Sequence, residues 1–147
     1  MNSVPGTLNS NPFNLAVIQE FRENGGRVRD FAGIPLLLLT TRGARSGLIR
    51  TTPLVYLEDG GRLVVFASNG GAPAAPGWYH NLRAGGGATV EKGTERFPVR
   101  HELVPGPEHD RLWELQIAQD PNFATFRGRT SRVVPVVALL RTEPPAA

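Results

Sequence analysis

Residues 48–67 read LIRTTPLVYLEDGGRLVVFA. Aliphatic, β-branched and aromatic residues dominate the two arms, and Asp59-Gly60-Gly61 separates them. Glycine takes positive φ at little steric cost, so these three residues predict a hairpin turn between a strand over Leu48–Tyr56 and a returning strand over Arg62–Ala67. Upstream, Gly33-Ile34-Pro35 leads into Leu36–Leu39, a short and fully apolar strand. Downstream, Ala88–Lys92 and Glu95–Val104 read as a pair joined at Gly93-Thr94, and Val133–Leu140 as a final β-branched strand.

Helices fit between and around these strands. Asn11 followed by Pro12 is a side-chain cap and a first-turn proline. Phe13, Val17, Ile18 and Phe21 then form an apolar stripe at helical spacing that Gly25-Gly26 ends. Pro76 starts a short helix with Trp78 and Leu82 one turn apart. Pro105–Pro107 starts another through Gln116, and Asp120-Pro121 a last one carrying Phe123 and Phe126. This gives about six strands, mostly antiparallel, with connections too short for repeated βαβ units. The expected class is α+β, mainly β: a small closed or partly open β-barrel with peripheral helices. One domain is expected over residues 12–141, with a flexible arm at 1–11 and a tail at 142–147.

The chain has 147 residues, 40% of them hydrophobic and 20% charged, which suits one globular core. Its net charge is 16 − 13 = +3, and all but one of the cations are arginine, Lys92 being the exception. Without cysteine, disulfides, thiolate metal sites and a cysteine nucleophile are excluded. No apolar run approaches the ~20 residues of a membrane span. The N-terminus lacks the basic-then-apolar order of a signal peptide, so a cytoplasmic protein is expected. The first helix has three uses open to it: packing on the core, covering a site, or peripheral contact with the inner face of the membrane.

The cations concentrate at residues 40–50, TTRGARSGLIR, which carry Arg42, Arg45 and Arg50. No acidic residue occurs between Asp30 and Glu58. Guanidinium forks, backbone N–H groups and the Ser46 hydroxyl suit a phosphate or carboxylate, against the plainer reading of a solvated turn. Ala67-Ser68-Asn69-Gly70-Gly71 leaves a strand for a helix, and its glycines let backbone approach a planar ligand. Trp78, Tyr79, Phe123 and Phe126 offer walls for such a ring, although on their own ordinary core packing is the favoured use.

Other chemistries find no support in the sequence. Neither Ser46 nor Ser68 sits in a G-x-S-x-G elbow. His80, His101 and His109 lack metal-ligand spacing, and no metal is expected. Nucleic-acid binding is disfavoured because the strands are aliphatic rather than interleaved with basic and aromatic residues.

The motifs in combination resemble the deazaflavin (F420)-dependent nitroreductase family. The carrying residues are Pro35–Thr41, Gly43–Gly47, Arg50–Leu54, Ala67–Pro73, Pro76–Leu82, Phe123-Ala124 and Thr130–Val137. The resemblance implies a split β-barrel that uses reduced coenzyme F420 as hydride donor. The acceptor is a flat activated small molecule: a quinone, an enone or a nitroaromatic. It implies that Arg45, Ser46 and Arg50, with Arg42 as a substitute cation, hold the phosphate and acidic tail. Pro53, Leu54 and Val55 line the deazaflavin; Ala67, Ser68 and Asn69 meet its edge; Trp78 and Asn81 support the groove. Ser68 is the expected orienting hydroxyl. Phe13, Val17, Phe123 and Phe126 are the expected substrate pocket. The pattern departs at Ala44, where the family often has a second basic residue, and at Phe123 and Phe126, where family nitroreductases carry tyrosines. Those phenylalanines lack a hydroxyl to orient or protonate a substrate, so reduction of bicyclic nitroimidazoles does not follow from the resemblance. Two other readings stay open at this stage: a carrier that binds F420 without turnover, and a split barrel holding flavin mononucleotide. A homodimer is likewise left open.

Overall fold

A computed structural model of the chain describes residues 9, 11–85 and 87–142. The expected arm and tail therefore lie, apart from Asn9, Asn11 and Thr142, outside the described residues.

Helix α1 spans Pro12–Glu23, and the Asn11 side chain accepts from the N–H groups of Phe13 and Asn14, as the Asn-Pro start predicts. Seven strands follow in one antiparallel sheet: β1 Leu36–Arg42, β2 Ile49–Val55, β3 Leu57–Asp59, β4 Arg62–Phe66, β5 Ala88–Lys92, β6 Glu95–Leu103 and β7 Val136–Arg141. Between β4 and β5 lies α2, Gly77–Arg83; between β6 and β7 lie α3, Gly106–Gln119, and α4, Asn122–Gly128. The strand order is β2-β1-β5-β6-β7-β4-β3.

This order closes the sheet on itself. β2 and β3 occupy opposite edges, yet only Tyr56 separates Val55 from Leu57. A flat seven-stranded sheet would hold those edges about 28 Å apart, at roughly 4.7 Å per strand step. One residue cannot span that distance, so the sheet must curl into a barrel with its seam at Tyr56.

The hairpin predicted from residues 48–67 is present but shorter than expected. Gly60 and Gly61 turn at φ 56° and 85°, and Leu57, Glu58 and Asp59 pair with Val64, Leu63 and Arg62. The expected strand over Leu48–Tyr56 does not continue into that hairpin. It ends at Val55 and pairs along its whole length with β1, while the Tyr56 N–H donates to Pro35 O at 3.1 Å. The sheet thus has seven strands rather than six. β1 also runs beyond Leu39 to Arg42, and the last strand starts at Val136, leaving Val133 79% exposed.

Two faces explain the unbroken apolar runs. Leu37, Leu39, Leu63, Val65, Val137 and Leu139 fill the barrel interior, with Trp78 and Leu82 of α2 packed into the same cluster. Leu36 and Leu38 point the other way, onto Val17, Ile18 and Phe21 of α1. Val64, Phe66, Val136 and Ala138 meet Leu112, Trp113 and Phe123 of α3 and α4. Strands covered on both sides lose the alternation of a half-exposed strand. Val17, Ile18 and Phe21 of the α1 stripe go into this packing, while Phe13 stays exposed. Its C-terminal Gly26 approaches the β5–β6 turn so closely that a Cβ would lie 2.8 Å from Gly93 Cα.

Candidate functional site

β1 and β2 deliver three arginines to one end of the barrel. Thr41 is the last buried residue of β1, and Arg42 is exposed beside it. The loop that follows is tight: Gly43 N–H donates to Leu48 O at 2.7 Å, and Gly47 N–H to Gly43 O at 3.0 Å. Ser46 Oγ accepts from Leu48 N–H at 3.1 Å, and a Cβ at Gly43 would lie 2.5 Å from it. Gly43 thus makes room for the Ser46 hydroxyl, whose proton is left to donate outward.

Asn81 joins this loop to α2. Its Oδ1 accepts from Ala44 N–H at 3.0 Å and its Nδ2 donates to Thr41 Oγ1 at 3.0 Å. The sequence expected Asn81 to support the groove; in the structure both ends of its amide tie α2 to β1 and the loop after it.

Half of the chain's cations have carboxylate partners among the described residues. Arg22 meets Glu91 at 2.8 Å, Arg111 meets Glu108 and Asp59, and Lys92 meets Glu58 at 3.2 Å. Hydrogen bonds from Arg62 and then Arg111 hold the Asp59 carboxyl below its ordinary value. Arg42, Arg45 and Arg50 differ: among the described residues none has an acidic partner. Three like charges on one loop repel one another, and a bound anion relieves that repulsion.

A cavity of about 330 Å³ opens beside them, lined by Thr41, Arg50, Thr52, Asn69, Trp78 and Asn81, with Asn11 and Asn14 of α1 at its edge. Asn9 Nδ2 reaches the outer edge of β2 there, donating to Thr51 O at 2.8 Å. A larger cavity, about 1170 Å³, lies between α1, the segment leading to β1, and Tyr56. It contains none of the site residues expected from the sequence, and Glu20 and Glu23 border it. Arg27 and Arg29 line it too, so its ionic side chains balance, whereas the smaller cavity carries Arg50 and no carboxylate; that uncompensated charge makes the smaller cavity the candidate site.

The turn after β4 forms one wall. Asn69 and Gly70 take φ of 51° and 65°, and Gly71 φ of 86°. Ser68 is buried, and its hydroxyl makes no hydrogen bond within the described residues, so it is free for a ligand. Arg132 holds this turn. Its Nη2 donates to the carbonyls of Ala67 at 3.0 Å, Ser68 at 3.0 Å and Ala74 at 3.3 Å, and its Nε to Ala72 O at 3.1 Å.

The structure brings Arg42, Arg45, Ser46, Arg50, Asn69, Trp78 and Asn81 to one end of the barrel. On β2, Leu54 packs on the interior cluster and Val55 on the two outer clusters, so they face opposite ways. Pro53, with no N–H to donate, occupies the edge strand, where it is tolerated. Ala67 is fully buried under the turn. The four residues expected in a substrate pocket are placed otherwise. Val17 is buried under α1, and Phe123 is buried 5.9 Å from Phe66 and 6.2 Å from Trp113. Phe126 stacks edge-on against Phe123 at 5.1 Å, and Phe13 is 53% exposed. None of the four lines either cavity. Short polar residues were not read as site residues: Asn11, Asn14, Thr41 and Thr52 line this cavity, although Asn11 was read as a helix cap and Thr41 and Thr52 fall in the stretches that carry the resemblance. Arg132 had one, because no acidic residue lies between Asp120 and Glu143.

A family model described as F420H(2)-dependent quinone reductase matches residues 15–141. The chain belongs to that family. An F420H(2)-dependent quinone reductase of Mycobacterium tuberculosis (strain ATCC 25618 / H37Rv) is 40% identical over 126 residues, 82% of this chain and 85% of the relative. The solved structure of an F420-H2 dependent reductase superposes with a TM-score of 0.64 at 34% identity, covering 71% of this chain and 93% of that one. A structure described as a domain-swapped dimer matches with the same TM-score and identity, covering 71% of this chain and 79% of that one. The split-barrel expectation therefore holds. Membership in the F420H(2)-dependent quinone reductases makes the chain an oxidoreductase with reduced F420 as cofactor. The site fits that cofactor on its own chemistry: unpaired guanidinium groups for an anionic tail, an indole wall, and unspent polar groups at the Ser68 turn.

Proposed function

We propose that the chain reduces a quinone, with the cofactor tail held by Arg42, Arg45 and Arg50. The observation that carries this reading is the set of three partnerless guanidinium groups beside the cavity of Arg50, Asn69, Trp78 and Asn81. When bound, reduced F420 supplies a hydride to a flat acceptor. The chain's own residues do the positioning. Arg45 and Arg50 bind phosphate and carboxylate groups, and the Ser46 hydroxyl donates to the same anions. Asn81 fixes the loop against α2. Of the β2 residues expected along the ring, Leu54 and Val55 face opposite ways, so at most one of them would meet it; the Ser68 hydroxyl would orient cofactor or acceptor. The cavity is near the lower limit of small-molecule pockets, about 300 Å³, so it takes one portion of the cofactor and leaves the tail on the exposed loop.

Residues 12–141 act as one cofactor-binding unit. A homodimer is part of this reading, supported by the neighbour described as a domain-swapped dimer; light scattering on the eluting protein measures it.

Fluorescence polarisation of oxidised F420 tests the central assignment. Binding is expected at micromolar concentration, and its absence sinks the reading. Arg45→Ala should weaken binding by about tenfold at low salt, the loss of one charge-assisted contact. Because Arg45 is exposed, that difference should shrink as salt is raised. Steady-state oxidation of reduced F420 by quinones, enones and nitroaromatics then ranks acceptors. No turnover with any of them would leave a carrier.

A further inference from the structure

We infer that Arg132 is a positioning residue that turns three backbone N–H groups of the Ser68 loop outward, toward the cofactor. This rests on the cofactor site proposed above.

In a trans peptide the C=O and the following N–H point in opposite directions, and no peptide bond described here is cis. The Arg132 guanidinium draws in the carbonyls of Ala67, Ser68 and Ala74. The partner N–H groups, those of Ser68, Asn69 and Ala75, must then face away from it. The fourth carbonyl, on Ala72, precedes Pro73 and so turns no donor outward. No hydrogen bond within the described residues engages the N–H groups of Ser68, Asn69 or Ala75. Asn69 and Ala75 line the cavity that also holds Arg50 and Trp78.

Three unspent donors in one turn match a planar heterocycle whose edge carries carbonyl and ring-nitrogen acceptors. The arginine suits the holding task because its planar fork can serve several carbonyls at once, and it stays charged at any working pH. The turn needs such a clamp. Asn69 sits at positive φ without being glycine, and its Nδ2 adds a second donor to Ala74 O at 3.1 Å. Behind it, Gly71 fits against Phe126 O and Arg129 Cβ with no space for a side chain. Arg132 acts through the loop and touches neither cofactor nor acceptor in this assignment.

Arg132→Ala and Arg132→Lys test it, with two readouts. The first is F420 polarisation. Arg132→Ala should bind about tenfold more weakly, and guanidinium ion at non-denaturing concentration should restore part of that loss. Arg132→Lys should fall between, because an ammonium reaches fewer carbonyls. Guanidinium should not rescue Arg45→Ala, whose loss is of a direct contact on an open loop. The second readout needs no cofactor. In amide spectra, the signals of Ser68, Asn69 and Ala75 should move in Arg132→Ala, while those of Val65 and Val137 stay. Unchanged affinity, or unmoved turn signals, overturns the inference. So does a loss of binding that tracks loss of folding and is recovered by neither lysine nor guanidinium. If the unsubstituted protein does not bind F420, the function proposed above falls, and the amide spectra alone decide whether Arg132 sets the turn. If Arg132→Ala does not fold, the spectra of Arg132→Lys take its place, with smaller shifts expected in the same three signals.

Discussion

Gly71 shows how little freedom single residues have near the site. A Cβ there would lie 2.6 Å from Arg129 Cβ and 2.7 Å from Phe126 O, at a φ of 86°. Gly71→Ala is expected to cost about 1–3 kcal/mol, read as a lower denaturant midpoint at constant slope. The sequence offered this glycine only as a point of close approach to a ligand. The structure shows that what approaches it is the end of α4. His101 makes a different residue-level prediction. Burial, and then the nearby Arg83 charge, push its imidazole below the ordinary histidine range. A folded value below the unfolded one means stability that is full above the unfolded pKa and lost as pH falls through the folded one. Denaturant midpoints should therefore drop as pH is lowered from about 7 towards 5, and His101→Gln should flatten that slope.

Elements differ in how much of them the sequence could declare. Helix α1 was legible from the Asn11 cap to the Val17, Ile18 and Phe21 stripe, because caps and helical spacing are local signals; Phe13, read into the same stripe, is exposed instead. Phe21 is 1% exposed beneath it, and Phe21→Ala should destabilise the fold by about 3–5 kcal/mol in equilibrium unfolding. The break at Tyr56 was not legible. Residues 48–59 favour strand throughout, and only the pairing of β2 with β1 and of β3 with β4 decides where one strand becomes two. The arginines of the site were legible for the opposite reason: their uncompensated charge is visible in the one-dimensional spacing of acids. The α3–α4 aromatics misled because bulk and apolarity serve a core as well as a pocket. Only the Phe66, Trp113 and Phe123 contacts separate the two uses. At the same scale, Asn81→Ala should detach the 43–48 loop from α2 and weaken F420 binding, with a cost of about 1–3 kcal/mol for the two lost hydrogen bonds.

For the whole molecule, the strand order fixes a sequence of events as well as a shape. β7, the last strand among the described residues, lies between β6 and β4 and joins them. Until residues 136–141 arrive, the β3–β4 hairpin has no place in the sheet, and both β4 and β6 present open edges. Vectorial synthesis on the ribosome therefore holds an incomplete barrel until β7 emerges, with sticky strand edges exposed for that interval. A chain stopped after Pro135 should show no cooperative unfolding transition and should aggregate, although it retains every residue of the proposed cofactor site. Binding and folding thus depend on different parts of the polypeptide, and the final six-residue strand is the one whose late arrival decides whether the cofactor ever meets a finished protein.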